Sequence, residues 1–158
     1  RMHETVAVGI CLRQQFAYMK GKEEKCIFLN TEGRCSIHSI RPGFCRLFPL
    51  GRYYTEEGFH YILQIHECAK KNRSKIKVKK WLDTPDLKNY EKFVWDWHQF
   101  LLDVQEVIYG TEDTDLIRNL NMYVLSRFYR NPYTEDRDFY EQFQERLEEA
   151  KKLLSLGV

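Results

Sequence analysis

The sequence predicts an α+β protein: a small strand-and-loop module followed by three packed helices. Three observations carry this reading. Short apolar runs of strand length alternate with Gly and Pro up to about residue 68. From about Trp81 onward, apolar residues recur at spacings of three and four instead. Four cysteines, Cys26, Cys35, Cys45 and Cys68, fall among the turn residues of the first half. Gathered thiolates bind soft metals, so the first module reads as metal-stapled. The expected division is a cysteine-cluster module over 1–82 and a helical domain over 83–158.

Taken in order, Val6 to Leu12 and Cys26 to Leu29 are apolar runs of strand length. Arg41 to Leu47 reads as one helical turn presenting Cys45. Arg52 to Thr55 and Phe59 to Ile65 pair as a hairpin, because Glu56-Glu57-Gly58 interrupts aromatic and β-branched residues. Asp83-Thr84-Pro85 supplies a cap and a first-turn proline for a long helix. Its apolar stripe runs through Leu87, Tyr90, Phe93, Val94, Trp97, Leu101, Val104 and Ile108, and Gly110 ends it. Phe93 and Trp97 are expected to be largely buried. A second helix starts in the acidic Thr111–Asp115 turn, carries Leu116, Leu120, Val124 and Phe128, and stops at Asn131-Pro132. A third spans about Glu135 to Leu156.

Composition excludes some classes of function. With 43% hydrophobic and 30% charged residues, the chain is an ordinary globular protein and not a disordered one. Net charge is +2, from 25 basic and 23 acidic residues, so no global field draws it to nucleic acid or a membrane. No apolar run approaches the ~20 residues that span a bilayer. Five cysteines is an odd number in a chain longer than a typical disulfide scaffold, which points to a reduced, cytoplasmic setting.

The gaps between the four cysteines hold eight, nine and twenty-two residues, with no Cys-x-x-Cys knuckle. Spacing alone therefore says little, but Gly33, Pro42 and Gly43 lie where separate loops must bend sulfurs toward one point. Four thiolates satisfy either tetrahedral zinc or an iron–sulfur cluster. Cys11 lies within an apolar run and reads as a core thiol.

The segments Cys26-Ile27-Phe28-Leu29, Gly33-Arg34-Cys35-Ser36-Ile37-His38 and Arg41-Pro42-Gly43-Phe44-Cys45-Arg46-Leu47-Phe48-Pro49 resemble the second half of the YkgJ-type cysteine-cluster motif. The resemblance continues through Gln64-Ile65-His66-Glu67-Cys68 to Trp81-Leu82 and then weakens. It implies chelation of zinc or iron. Family members also carry an upstream Cys-x-x-Cys-x-x-Cys-Cys run, which does not occur between Arg1 and Cys26. That departure bears on how many ligands the chain has.

Around the cysteines, Arg41 and Arg46 bracket Cys45 and match the motif, so they are expected to offset thiolate charge from just outside the ligands. Arg34 and Arg52 fit that role or ordinary surface solvation equally. His66, two residues before Cys68, shares its face if both lie on a strand and is the reserve ligand. His38 reads as packing or a hydrogen-bond partner, because the family has Tyr at that place as well. His3, His60 and His98 show no partner in the sequence. Lys70 to Lys80 holds seven Lys or Arg in eleven positions and could meet phosphates. Such a loop is usually a solvated face, and nucleic acid is not expected.

The function expected is therefore metal binding, by zinc or iron or an iron–sulfur cluster, at Cys26, Cys35, Cys45 and Cys68. No catalytic residue can be placed, and an enzyme is not favoured. Two alternatives remain open. A flagellin lysine N-methylase is similar over the cysteine segment, which implies protein lysine methyl transfer or its assistance. The helical tail could instead dock a protein partner through Tyr123, Tyr129 and Tyr133.

Overall fold

A computed structural model describes residues 19–20, 25–65 and 74–155. The Val6–Leu12 run, Cys11, His3, His66, Cys68 and Lys70–Arg73 lie outside the described residues. The fold class is α+β, as the patterning predicts. Two antiparallel strand pairs are described, β1 (Met19–Lys20) with β2 (Lys25–Cys26) and β3 (Leu50–Tyr54) with β4 (Phe59–Leu63). The helices are α1 (Gly43–Leu47), α2 (Val78–Leu82), α3 (Leu87–Tyr109), α4 (Thr114–Leu125) and α5 (Phe139–Ser155). By its contacts the chain divides into two compact units. One comprises Phe28–Glu91; the other comprises the described part of Arg1–Ile27 with Lys92–Val158.

In the unit Phe28–Glu91, the expected hairpin forms as β3–β4, with Arg52 opposite Tyr61 and Tyr54 opposite Phe59. Thr55 closes its turn, donating its amide to the Gly58 carbonyl at 2.7 Å. The helix α2 is a single turn that the periodicity does not separate from α3. It stops at Asp83, whose φ of 49° is left-handed and whose amide donates to the Lys79 carbonyl. Asp83 therefore ends one helix and does not cap the next. That cap is Asp86, whose carboxylate accepts from the Asn89 amide at 3.1 Å. Among the described residues, only Leu47 and Leu82 are fully buried hydrophobics in this unit.

The other unit has a true core. Phe100, Val104, Leu120, Val124, Phe128, Phe143, Leu147 and Ala150, from α3, α4, α5 and the segment after α4, pack together. Phe93 and Trp97 stay half-buried at its edge, less covered than the sequence suggests. They take part in an aromatic cluster instead, Trp97 against Phe128 at 4.8 Å and Phe93 edge-on to Phe143 at 4.6 Å. The helix α4 starts as expected, with the Asp113 carboxylate accepting from the amides of Asp115 and Leu116. It ends in a wider π-helical turn over Ser126–Arg130.

The third helix starts at Phe139, four residues later than its acidic pattern suggests, because the Asp138 carboxylate caps it through Tyr140 and Glu141. The connection before it is held by two buried polar side chains of α5. Gln142 donates to the carbonyls of Thr134 and Arg137 and accepts from the Thr134 amide. Arg146 donates to the carbonyls of Arg127, Asn131 and Pro132 at 2.6–2.8 Å, and its guanidinium lies 3.8 Å from the centre of the Tyr133 ring. Tyr133 and Tyr123 are half-buried, and Tyr129 is exposed. Among the described residues, no helix is long and apolar enough to cross a membrane.

Candidate metal centre

Of the two described cysteines of the unit Phe28–Glu91, Cys35 sits on a short loop and Cys45 in the single-turn helix α1. Cys35 lies on the return arm of a tight turn. Leu29 and Cys35 pair as an antiparallel bridge, the Ser36 amide donates to the Phe28 carbonyl at 2.7 Å, and Asn30 closes the tip. The Asn30 side-chain carbonyl accepts from the amides of Glu32 and Arg34, an Asx turn. Gly33 takes φ = 73° there, a conformation that costs residues with a Cβ roughly 1 kcal/mol or more. Cys35 is half-buried and is a free thiol.

Cys45 lies in the middle of α1 and is exposed. Pro42 precedes this turn and fixes the entry angle of the chain. On one side α1 is approached closely by Tyr90. A Cβ built on Gly43 would sit 3.0 Å from the Tyr90 hydroxyl oxygen, so the position is open only to glycine unless Tyr90 shifts. Tyr90 is in turn held by Arg52, which donates to its hydroxyl at 2.7 Å. The Arg52 guanidinium lies 5.6 Å from the centres of both the Phe59 and the Tyr90 rings. Arg52 thus ties the hairpin to the first turn of α3, a role the sequence leaves undecided. Beside it, burial and the Glu91 carboxylate push the Tyr61 hydroxyl pKa well upward.

Arg46 turns back onto its own loop. Nε donates to the Arg41 carbonyl at 3.2 Å, Nη2 to the Ser39 carbonyl at 2.8 Å and Nη1 to the Asp83 carbonyl at 2.9 Å. The Asp83 carboxylate lies 3.7 Å from Nη1. All three guanidinium nitrogens therefore have main-chain acceptors, and the residue pins the loop 39–46 to the end of α2. Arg41 meets His38, Nη1 to Nε2 at 3.0 Å. Since Arg can only donate, this geometry makes Nε2 the acceptor and puts the imidazole proton on Nδ1. The Arg41 Nε is buried with no hydrogen-bond partner. The Arg34 main chain belongs to the Asn30 turn, and its side chain is exposed.

Cys26 ends β2 and belongs to the other unit; it is half-buried and a free thiol. Among the described residues, no group of three or more His, Cys, Asp or Glu side chains is gathered where it could hold a metal ion. The described donors are still of the right chemistry, since soft thiols on hydrogen-bonded loops suit zinc and iron. His60 lies tilted against Tyr53, ring centres 5.1 Å apart, on the exposed face of the hairpin. His98 on α3 lies 6.2 Å from Trp95, and burial lowers its pKa.

These features place Cys35 and Cys45 on short, hydrogen-bonded stretches of one unit and Cys26 on the other. Residues 2–75 match the CxxCxxCC family model, described as "Putative zinc- or iron-chelating domain", which bears out the YkgJ-type resemblance carried by Cys26 to Pro49. The match covers just under half of the chain and includes all four motif cysteines. No curated protein and no solved structure matches the chain.

Proposed function

We propose that the chain holds a zinc or iron ion, or an iron–sulfur cluster, on the thiolates of Cys26, Cys35, Cys45 and Cys68, with His66 as the reserve ligand. The observation that carries this reading is the thin interior of the unit Phe28–Glu91. Of its described residues, only Leu47 and Leu82 are fully buried hydrophobics, while Ile40, Phe44, Phe48 and Ile65 stay exposed. A unit of this size rarely folds on so little burial and ordinarily needs a disulfide, a metal or a partner. Among the described residues Cys35 is bonded to no other cysteine, which leaves its thiol for a metal. Bound metal would supply folding free energy directly, by closing the loops that carry Cys35 and Cys45.

Arg46 and Arg41 support the ligands through the loop. Arg46 fixes the backbone that leads into Cys45, at Ser39 and Arg41, against Asp83, and its positive charge would offset gathered thiolates. The experiment is anaerobic purification, elemental analysis and thermal unfolding with and without a chelator. Chelation should lower the unfolding temperature of the parent protein and leave that of a Cys35→Ser/Cys45→Ser variant unchanged. A parent protein without bound metal, whose melting does not respond to added zinc or iron, would remove the proposal.

A further inference from the structure

A cleft of about 380 Å³ opens beside α2, lined by Lys77, Lys79, Lys80, Asp83, Thr84 and Pro85. Its charge is not balanced. None of the three lysines pairs with a carboxylate among the described residues. The one carboxylate in the lining, Asp83, lies 3.7 Å from Arg46 Nη1, so its charge is already partly answered from outside the cleft. Three lysines thus line one concavity, at the end of the basic run Lys70–Lys80.

We propose that this cleft binds a phosphoryl-bearing small molecule or headgroup. The argument is independent of the metal site. The volume is at the lower end of sites for small ligands, about 300–1,000 Å³. Lysine supplies compact charge on a flexible stem, which suits a multiply charged phosphate without fixed bidentate geometry. Among the described residues, no aromatic side chain lines the cleft. Stacking of bases, on which binding of single-stranded nucleic acid relies, therefore has no surface here. Lys88, exposed on α3 and absent from the lining, provides a matched control.

The test is titration calorimetry of the full chain at fixed ionic strength with inositol trisphosphate, alongside co-sedimentation with phosphatidylcholine vesicles with and without phosphatidylinositol bisphosphate. Saturable binding is expected, weakened at least about 10-fold by Lys77→Gln/Lys79→Gln/Lys80→Gln and unchanged by Lys88→Gln. Asp83→Asn, tolerated at a left-handed position, should strengthen binding because it removes the one opposing charge among the described lining residues. If the soluble probe binds but the vesicles do not sediment the protein, the ligand is a free phosphate ester. Sedimentation that inositol trisphosphate reverses makes it a lipid headgroup. The proposal is overturned by absence of saturable binding, by equal affinity in the triple variant and in Lys88→Gln, or by much tighter binding of a single-stranded oligonucleotide.

Discussion

Arg46→Ala removes three hydrogen bonds at once, and their partners make the cost calculable. A hydrogen bond from a charged donor contributes about 1.5–3 kcal/mol where water is excluded, and roughly half that or less where the acceptor can be rehydrated. The Arg46 side chain is 19% exposed, and of its three bonds only that to the Arg41 carbonyl is partly buried. The bonds to the Ser39 and Asp83 carbonyls are exposed. Summed with that discount, truncation should cost about 2–4 kcal/mol, borne mainly by the loop 39–46 and its link to α2. Arg46→Lys should recover only part of it, because one ammonium cannot reach three acceptors arranged around a planar fork. Hydrogen exchange at the amides of Gly43–Leu47, with urea unfolding of the whole chain, reads both effects. Metal retention against a chelator should fall about 10-fold, since the Cys45 loop loses its anchor. Parent-like exchange at these amides would refute the clamp. Loop loosening without loss of metal would refute the link between clamp and site.

Three further outcomes are expected. Gly43→Ala should destabilise by about 1–3 kcal/mol, because its Cβ meets the Tyr90 hydroxyl; Gly43→Ala/Tyr90→Phe should recover part of the loss in urea unfolding. Arg146→Ala should cost about 3 kcal/mol or more, as it leaves three carbonyls before α5 without their buried donor and uncovers Tyr133, which denaturant titration and Tyr fluorescence would record. His98 has a folded pKa below its unfolded value, so unfolding takes up a proton. Its contribution to stability is therefore intact above the unfolded value of about 6.5 and is lost as pH falls from there toward the folded value. His98→Gln should flatten that part of a pH–stability profile, and an unchanged profile would contradict the assignment.

The strongest signals in the sequence were those with a local physical cause. The β3–β4 hairpin was legible because Gly58 interrupts two runs of aromatic and β-branched residues. The stops at Gly110 and after Arg130 follow from glycine and proline. The single-turn helix α2 was hidden because five residues are too few to show a period, and because Asp83 looked like a cap when its left-handed backbone makes it a terminator. The sequence puts the start of α5 too early because acidic residues from Glu135 suit a first helical turn, whereas Gln142 and Arg146 hold that stretch in an irregular connection. Their burial runs against the usual place of polar residues on an amphipathic helix. At the site, the turn residues around Cys35 and Cys45 told where the loops bend. The partners of Arg46 could not be read in advance, because its acceptors are main-chain carbonyls that any residue provides.

X-ray absorption at the metal edge of the anaerobically purified protein tests the central claim most directly. A four-thiolate site predicts a shell of sulfur scatterers at ~2.3 Å around zinc or iron, and its loss or replacement by lighter atoms in Cys35→Ser and Cys45→Ser. A shell of oxygen and nitrogen alone in the parent protein, unchanged by those substitutions, would contradict the account.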